Sequence, residues 1–284
     1  MTSATPPAQG REPLYQQVAR NVRNQIQAGA LRHGEVLPST NELAEQWGVS
    51  DFTVTEAMKV LAAEGLVISK SRSKRTVNFP SEEIAPRARP EVPRVLLVGG
   101  LPGSGKTELG RVLARLTGWP MLDKDTLTRP VVEAALEILG RSPHDRESTD
   151  YLERVRPREY EALMSTAIEN VDCGNSAILT APYIREFNDP AWITRTQALF
   201  EARKVQVFFA WIYCDADTMH TYMRQRGAAR DASKLADWPA WLASIDVDFR
   251  PPVPHFLLNN SASSSPLQVQ AQDLVQRLMS GKSQ

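Results

Sequence analysis

One stretch leaves this chain little choice of fold: VLLVGGLPGSGKTELG, residues 95 to 110. Gly100-Leu101-Pro102-Gly103-Ser104-Gly105-Lys106-Thr107 fills G-x-x-x-x-G-K-S/T completely, with an apolar run before it and an amphipathic run after it. Strand, glycine-rich loop and helix in that order form a cradle for a nucleotide's phosphates. The glycines let successive backbone N–H groups converge on the β-phosphate, and the helix N-terminus adds partial positive charge. Gly100, Gly103, Ser104, Gly105, Lys106 and Thr107 are therefore the expected nucleotide contacts. Lys106 should reach the β- and γ-phosphates, and the Thr107 hydroxyl should ligate Mg²⁺.

Around this loop the pattern alternates. VLLV (95–98), PML (120–122), SAILTA (176–181), VQVFFAWIYC (205–214) and HFLL (255–258) read as strands, separated by apolar-periodic segments such as ELGRVLARL and PVVEAALEIL. Almost wholly apolar strands between helices argue for an α/β domain, a parallel sheet with helices on both faces. We place it at residues 94–284. A proline-rich linker, 79–93, precedes it, with Pro80, Pro86, Pro90 and Pro93 and no apolar periodicity.

Residues 11–78 follow a different pattern, three helices and a hairpin. Leu14, Val18, Val22 and Ile26 repeat every four residues on one face of a first helix. Ser39 or Thr40 then caps NELAEQW, Gly48 breaks it, and Ser50 or Asp51 caps a third helix with a core stripe of Val54, Ala57, Val60 and Leu61. Gly65 ends that helix, and LVISKSRSKRTVNF reads as two short strands around a basic tip.

The totals narrow the setting. The chain has 284 residues, enough for two cores, and its 33 basic residues balance 33 acidic ones, so net charge names no partner. Cys173 and Cys214 lack metal-site spacing, and a disulfide framework is not expected. The first residues lack the apolar core of a signal peptide, and no apolar run approaches the roughly 20 residues that span a bilayer. We expect a cytoplasmic protein with no membrane partner.

Chemistry beyond the loop rests on three clusters. Leu122-Asp123-Lys124-Asp125 closes the second predicted strand, where open α/β sheets place ligand contacts. Asp125 or Asp123 could take a proton from an acceptor hydroxyl, Asp123 could hold Mg²⁺, or one aspartate could simply cap the next helix. Arg224, Arg226, Arg230 and Lys234 flank Gly227 in YMRQRGAARDASKL. They read as a lid that neutralises transition-state charge, or as a solvated basic face. No aspartate ends SAILTA, which favours phosphoryl transfer or nucleotide binding over an ATP-driven machine.

This half resembles the small P-loop kinases related to chloramphenicol phosphotransferase, the polynucleotide 5′-kinases and the zeta-type toxins, through GLPGSGKTELGRVLA, LDKD and RQRGAARDASKLADW. The resemblance implies ATP and Mg²⁺ as cofactors. It also implies Asp125 as base for the acceptor hydroxyl, Arg226 and Arg230 as lid arginines, and Asn260 beside the adenine. HDRESTDYLERVRPREYEA (144–162) would be the acceptor-side cap. There Arg146, Glu147, Tyr151, Arg156 and Tyr160 could contact a small phosphoryl acceptor, or form a surface salt-bridge network.

The first half resembles the GntR-type winged helix-turn-helix regulators through PLYQQV, the LPS before the second helix, ELAEQWGVS across the turn, and LAAEGLV leading into the wing. The expected architecture is thus an α/β P-loop NTPase domain preceded by a small α+β winged helix-turn-helix domain. The resemblance implies a double-stranded DNA operator and a homodimer. Ala44 and Gly48 would permit the close helix crossing, leaving residues 50 to 55 exposed for the groove. The candidate DNA contacts are Ser39, Thr40, Asn41, Ser50, Asp51, Thr53, Thr55, Lys70, Arg72, Lys74 and Arg75.

Here the chain departs from the pattern. Asn41, Asp51 and Thr55 stand where such readers carry arginines, and the wing lacks its usual glycines. The basic wing could supply the lost phosphate contacts, leaving an altered specificity. Otherwise the domain has become a dimerisation or docking module. Two functions follow: a regulator whose kinase-like domain phosphorylates or senses a small hydroxylated metabolite, or a small-molecule kinase with a structural winged helix.

Overall fold

The computed structural model describes residues 12–71, 74–79 and 92–280, with only the backbone of Lys70 and Ser71. The chain divides into two compact units, Met1–Pro80 and Ser81–Gln284. Most of the expected linker lies outside the described residues.

The first unit is built from α1 (Leu14–Gln27), α2 (Thr40–Trp47) and α3 (Asp51–Ala63), then β1 (Val67–Ser71) and β2 (Lys74–Val77), which pair antiparallel. Val18, Val22 and Ile26 bury one face of α1 against Leu43, Val54, Ala57 and Leu61. Leu14, expected on that face, is 56% exposed: it sits in the first helical turn, beyond the edge of the packed helices. Val60 lies only at the margin of the core, whereas Met58 is buried in it. Ser39 caps α2 in a capping box, accepting from the Glu42 N–H while Glu42 Oε2 accepts from the Ser39 N–H at 2.7 Å. Val36 forms a single antiparallel bridge to Thr76 of β2, flanked by Leu37 N–H to Arg75 O and Val77 N–H to Glu35 O, each 2.9 Å.

In the second unit β3 (Arg94–Gly100) runs parallel to β5 (Ala177–Thr180) on one side and to β6 (Gln206–Tyr213) on the other. β4 (Met121–Asp123) and β7 (Phe256–Asn259) complete a sheet in the order β4-β5-β3-β6-β7, all parallel. Strand side chains alternate between faces. Val95 and Leu97 therefore share one core with Leu179 and Phe209 of the neighbouring strands and with Leu163, Phe187 and Phe200. Those last three belong to α6 (Arg156–Asp172), α7 (Ile184–Phe187) and α8 (Pro190–Glu201). α4 (Lys106–Thr117) packs beside α12 (Leu267–Ser280). α5 (Lys124–Ile138) follows β4 directly, and α9 (Ala216–Arg226), α10 (Ala232–Ala236) and α11 (Trp238–Ala243) follow β6.

β3 is central, with its two neighbours reached by chain running in opposite directions across the sheet. Such a switch point opens a crevice beyond the C-terminal strand ends. The phosphate-loop motif begins there. Trp211 is buried in the core, and Trp192, Trp238 and Trp241 pack against that core.

Candidate functional site

The loop after β3 turns on two left-handed residues, Gly103 at φ 77° and Gly105 at φ 96°. At Gly105 a side chain would also run into the Asn260 amide, so backbone strain and space both require glycine. Gly105 is the N-cap of α4 and has no side-chain cap, which leaves the first N–H groups of that helix without a capping partner. Asn260 is buried and donates to the Ser104 carbonyl at 3.1 Å. It braces the loop from behind. Ser104 is fully buried, and its hydroxyl has no hydrogen-bond partner among the described residues.

Lys106 donates to the Leu101 carbonyl at 2.8 Å. Burial pushes its ammonium down to about 8, with Arg226 adding to the effect and Asp125 opposing it. Lys106, Arg226, Arg230, Asp123 and Asp125 thus lie within one electrostatic neighbourhood.

Asp123 serves two ends. Its Oδ1 accepts from the Thr126 N–H at 2.9 Å, so it is the helix-capping aspartate. Its Oδ2 accepts from Thr180 at 2.7 Å and faces the Thr107 hydroxyl at 3.4 Å. Thr107, Asp123 and Thr180 bring three oxygens to the foot of the phosphate loop, a hard donor set suited to Mg²⁺. The residues present therefore fit a phosphate-bound magnesium.

Asp125 sits one helical position into α5, between Lys124 at 3.0 Å and Arg230. Burial alone would raise its carboxyl, but the Lys124 and Arg230 charges outweigh burial and hold it well below the usual carboxylate range. Arg226 pairs instead with the buried Asp231. Gly227 makes the expected break in left-handed conformation, at φ 57°. Arg224 turns elsewhere, lining a surface groove with His220 and Leu235.

Of the acceptor-side candidates Tyr151 and Tyr160 are buried and Glu147 is exposed, so the two tyrosines form no surface network. The Tyr151 hydroxyl donates to Glu159 at 2.7 Å, and the other oxygen of Glu159 accepts from Lys124 at 2.6 Å and Thr128 at 2.9 Å. Burial, then the Glu159 carboxylate, push the Tyr151 phenol far above its ordinary value. Arg156 pairs with Glu186 at 2.7 Å and donates to the Tyr160 hydroxyl at 3.2 Å. Arg146 lies over the Tyr151 ring at 5.3 Å and donates to the Pro143 and Asp145 carbonyls. Glu147 stands 3.9 Å from Lys234.

Lys124, Glu159, Thr180, Glu186 and Asp231 were missed by sequence reasoning. Only Lys124 carried a signal, its place between two candidate aspartates. Tyr183, also missed, follows β5 with a φ of 51° and a buried hydroxyl that has no partner among the described residues.

In the first unit Ser50 caps α3, accepting from the Thr53 N–H at 3.2 Å, with the two hydroxyls 2.9 Å apart. Ser39, Ser50 and Thr53 thus serve the helix caps, and Thr40 accepts from Arg75 at 3.0 Å. Asn41, Asp51 and Lys74 are exposed, and Thr55 is half-buried. Arg72 and the Lys70 side chain lie outside the described residues. Phe52, which sequence reasoning passed over, is 73% exposed.

Three helices and a hairpin define a winged helix-turn-helix, and a parallel sheet with a phosphate loop on its central strand defines a P-loop kinase-like domain. Family comparison agrees: a model described as an AAA domain matches residues 95–247, and one for bacterial regulatory proteins of the gntR family matches residues 14–77. The chain belongs to the AAA-domain family, with a gntR-family winged helix ahead of that domain. It is 38% identical to the HTH-type transcriptional regulator GgaR of Escherichia coli K12 over 91 residues, 32% of this chain and 36% of that one. It is 34% identical to the shikimate kinase of Moorella thermoacetica over 106 residues, 36% of this chain and 58% of that one. A solved protein of Chloroflexus aurantiacus J-10-fl is 22% identical with a TM-score of 0.49, covering 67% of this chain and 98% of the other. The chain thus spans about a third of the length of the curated regulator it matches, 36%. No helix among the described residues is long and apolar enough to cross a membrane.

Proposed function

We propose that this protein is a homodimeric, cytoplasmic, DNA-binding regulator whose P-loop domain binds ATP-Mg²⁺ and phosphorylates or senses a small hydroxylated metabolite. The observation that carries the reading is the convergence of Lys106, Thr107, Asp123, Asp125 and Arg230 beyond the C-terminal strand ends, in a chain that also holds a winged helix. In this reading the loop amides and Lys106 hold the β- and γ-phosphates, while Thr107 and Asp123 hold Mg²⁺. The nucleotide supplies the phosphoryl group. Asp125 accepts the proton of the acceptor hydroxyl, and Arg226 and Arg230 offset charge on the group in transfer. Arg230 now holds Asp125, so its move toward a phosphate would release that carboxylate for proton transfer.

A second reading, a small-molecule kinase with a structural winged helix, is favoured by one observation. The exposed start of α3 carries an acid, Asp51, where phosphate would be met. The two readings separate by footprinting the purified protein on DNA from its own upstream region at fixed salt, alongside an ATP-consumption screen over hydroxylated metabolites. A protected sequence supports the regulator. Metabolite-stimulated turnover with no protection supports the kinase, and neither result would remove both readings.

A further inference from the structure

At the second position of α3 the chain exposes a phenylalanine. Phe52 is 73% exposed, the most exposed of the large apolar side chains in the first unit's described residues. It is not loosely held. The Ser50 cap and the Ser50–Thr53 hydroxyl contact fix the first turn of the helix that carries it. In a helix-turn-helix the N-terminal end of the second helix is the part that meets base edges in the major groove.

The donor and acceptor inventory of that end is short. Asp51 can only accept, so it suits the amino group of adenine N6 or cytosine N4. Thr53 is engaged with Ser50, and Phe52 has no polar atom. Guanine presents only acceptors in the major groove, so neither Asp51 nor Phe52 can read it. The one apolar feature of the major groove is the 5-methyl group of a pyrimidine.

We infer that Phe52 is a specificity residue that reads a pyrimidine 5-methyl group, beside a base whose amino group is taken by Asp51. This rests on the winged helix being a DNA reader, as proposed above. It sharpens that proposal by naming what replaces the arginines absent from Asn41, Asp51 and Thr55. Thymine and 5-methylcytosine both carry the group, and the test distinguishes them.

The experiment uses the full chain and the DNA site defined by footprinting or by selection from random duplexes. Each thymine is replaced in turn by deoxyuridine, which removes the methyl and keeps the pairing. Any protected CpG cytosine is tested with and without its 5-methyl group. Wild type, Phe52→Ala and Phe52→Leu are compared, each first checked for native folding and oligomeric state. We expect one position, or a symmetric pair, at which deoxyuridine weakens wild-type binding about fourfold, the effect of losing one buried methyl group. At that position Phe52→Ala should bind both duplexes alike, and Phe52→Leu should keep part of the discrimination, so the two changes are not additive. A response confined to methylated cytosine assigns the reading to 5-methylcytosine. Specific binding that tolerates every deoxyuridine equally in wild type overturns the inference and leaves the DNA reader standing. So does a Phe52→Ala effect seen only as altered oligomeric state, which would make Phe52 a protein contact. Absence of any specific site overturns the DNA reading itself, and this inference with it.

Discussion

In the P-loop unit, Lys124 and Glu159 are 4% and 3% exposed and satisfy one another, together with Tyr151, Thr128 and Asp125. At the start of α3, Asp51 and Phe52 face solvent with no such web around them. The contrast follows from what each region has to do. A charge buried without partners is expensive, so buried charges near a reacting centre come as closed networks, positioned before any ligand arrives. A groove-reading surface must leave its side chains uncommitted until bases supply the partners. Phosphate-loop residues are therefore identified by motif, and groove-reading residues by exposure.

Substitutions can break this comparison, beginning with the largest effect. Lys124→Ala should destabilise the P-loop unit by about 3–5 kcal/mol, because it leaves Glu159 and Asp125 short of a buried cation. Chemical denaturation followed by the unit's own tryptophans checks this, and a loss below about 1 kcal/mol would mean the network is not closed. Asp51→Ala in the exposed region should shift the unfolding of its unit by no more than about 0.5 kcal/mol.

Lys106→Ala should lower phosphoryl transfer, or nucleotide-dependent regulation, by about 10²–10³-fold without unfolding the protein. Calorimetric titration with ATP-Mg²⁺ beside a melting curve separates lost binding from lost folding.

The depressed Lys106 ammonium gives a pH test of opposite sign for binding and for folding. Nucleotide needs the charged form, so affinity should fall as pH rises past about 8, by up to about tenfold per unit. The unfolded chain keeps that proton to near its ordinary value of 10.5, so between about 8 and 10.5 the unfolded state binds more protons. Lys106's contribution to stability should therefore rise with pH across that window. Both slopes should vanish in Lys106→Met.

A smaller effect than at Lys124 or Lys106 concerns the caps. Ser39→Ala and Ser50→Ala should each cost about 1 kcal/mol in the winged-helix unit, measured by urea unfolding. A negligible loss at Ser50 would show that the first turn of α3 is not pinned, and Phe52 would lose its fixed presentation.

The sheet was legible because its strands are almost wholly apolar and two of them end at the glycine loop and at LDKD. The cap at Ser39 was legible with its partner Thr40 as the alternative, and only the Glu42 contact decides between them. Leu14 was misplaced because periodicity gives a face and not where the neighbouring helices stop. The bridge at Val36 has no pattern of its own and exists only through β2. Glu159 could not be found by spacing, since its role comes from the packing of α5 against α6. The depth of Tyr151 and Tyr160 has no signal in the spacing, because packing between elements sets it. The hydrogen bond from Asn260 to the Ser104 carbonyl has no signal in the sequence, because it joins residues far apart in the chain.

In the proposed regulator, nucleotide at the phosphate loop and DNA at the winged helix influence one another. The most direct measurement is operator affinity with and without saturating ATP-Mg²⁺, paired with ATP affinity with and without operator, in wild type and Lys106→Ala. Linkage requires both factors to be equal. The account predicts a matched change of at least about fivefold in wild type and none in the variant. Operator affinity that is identical under every condition would contradict it.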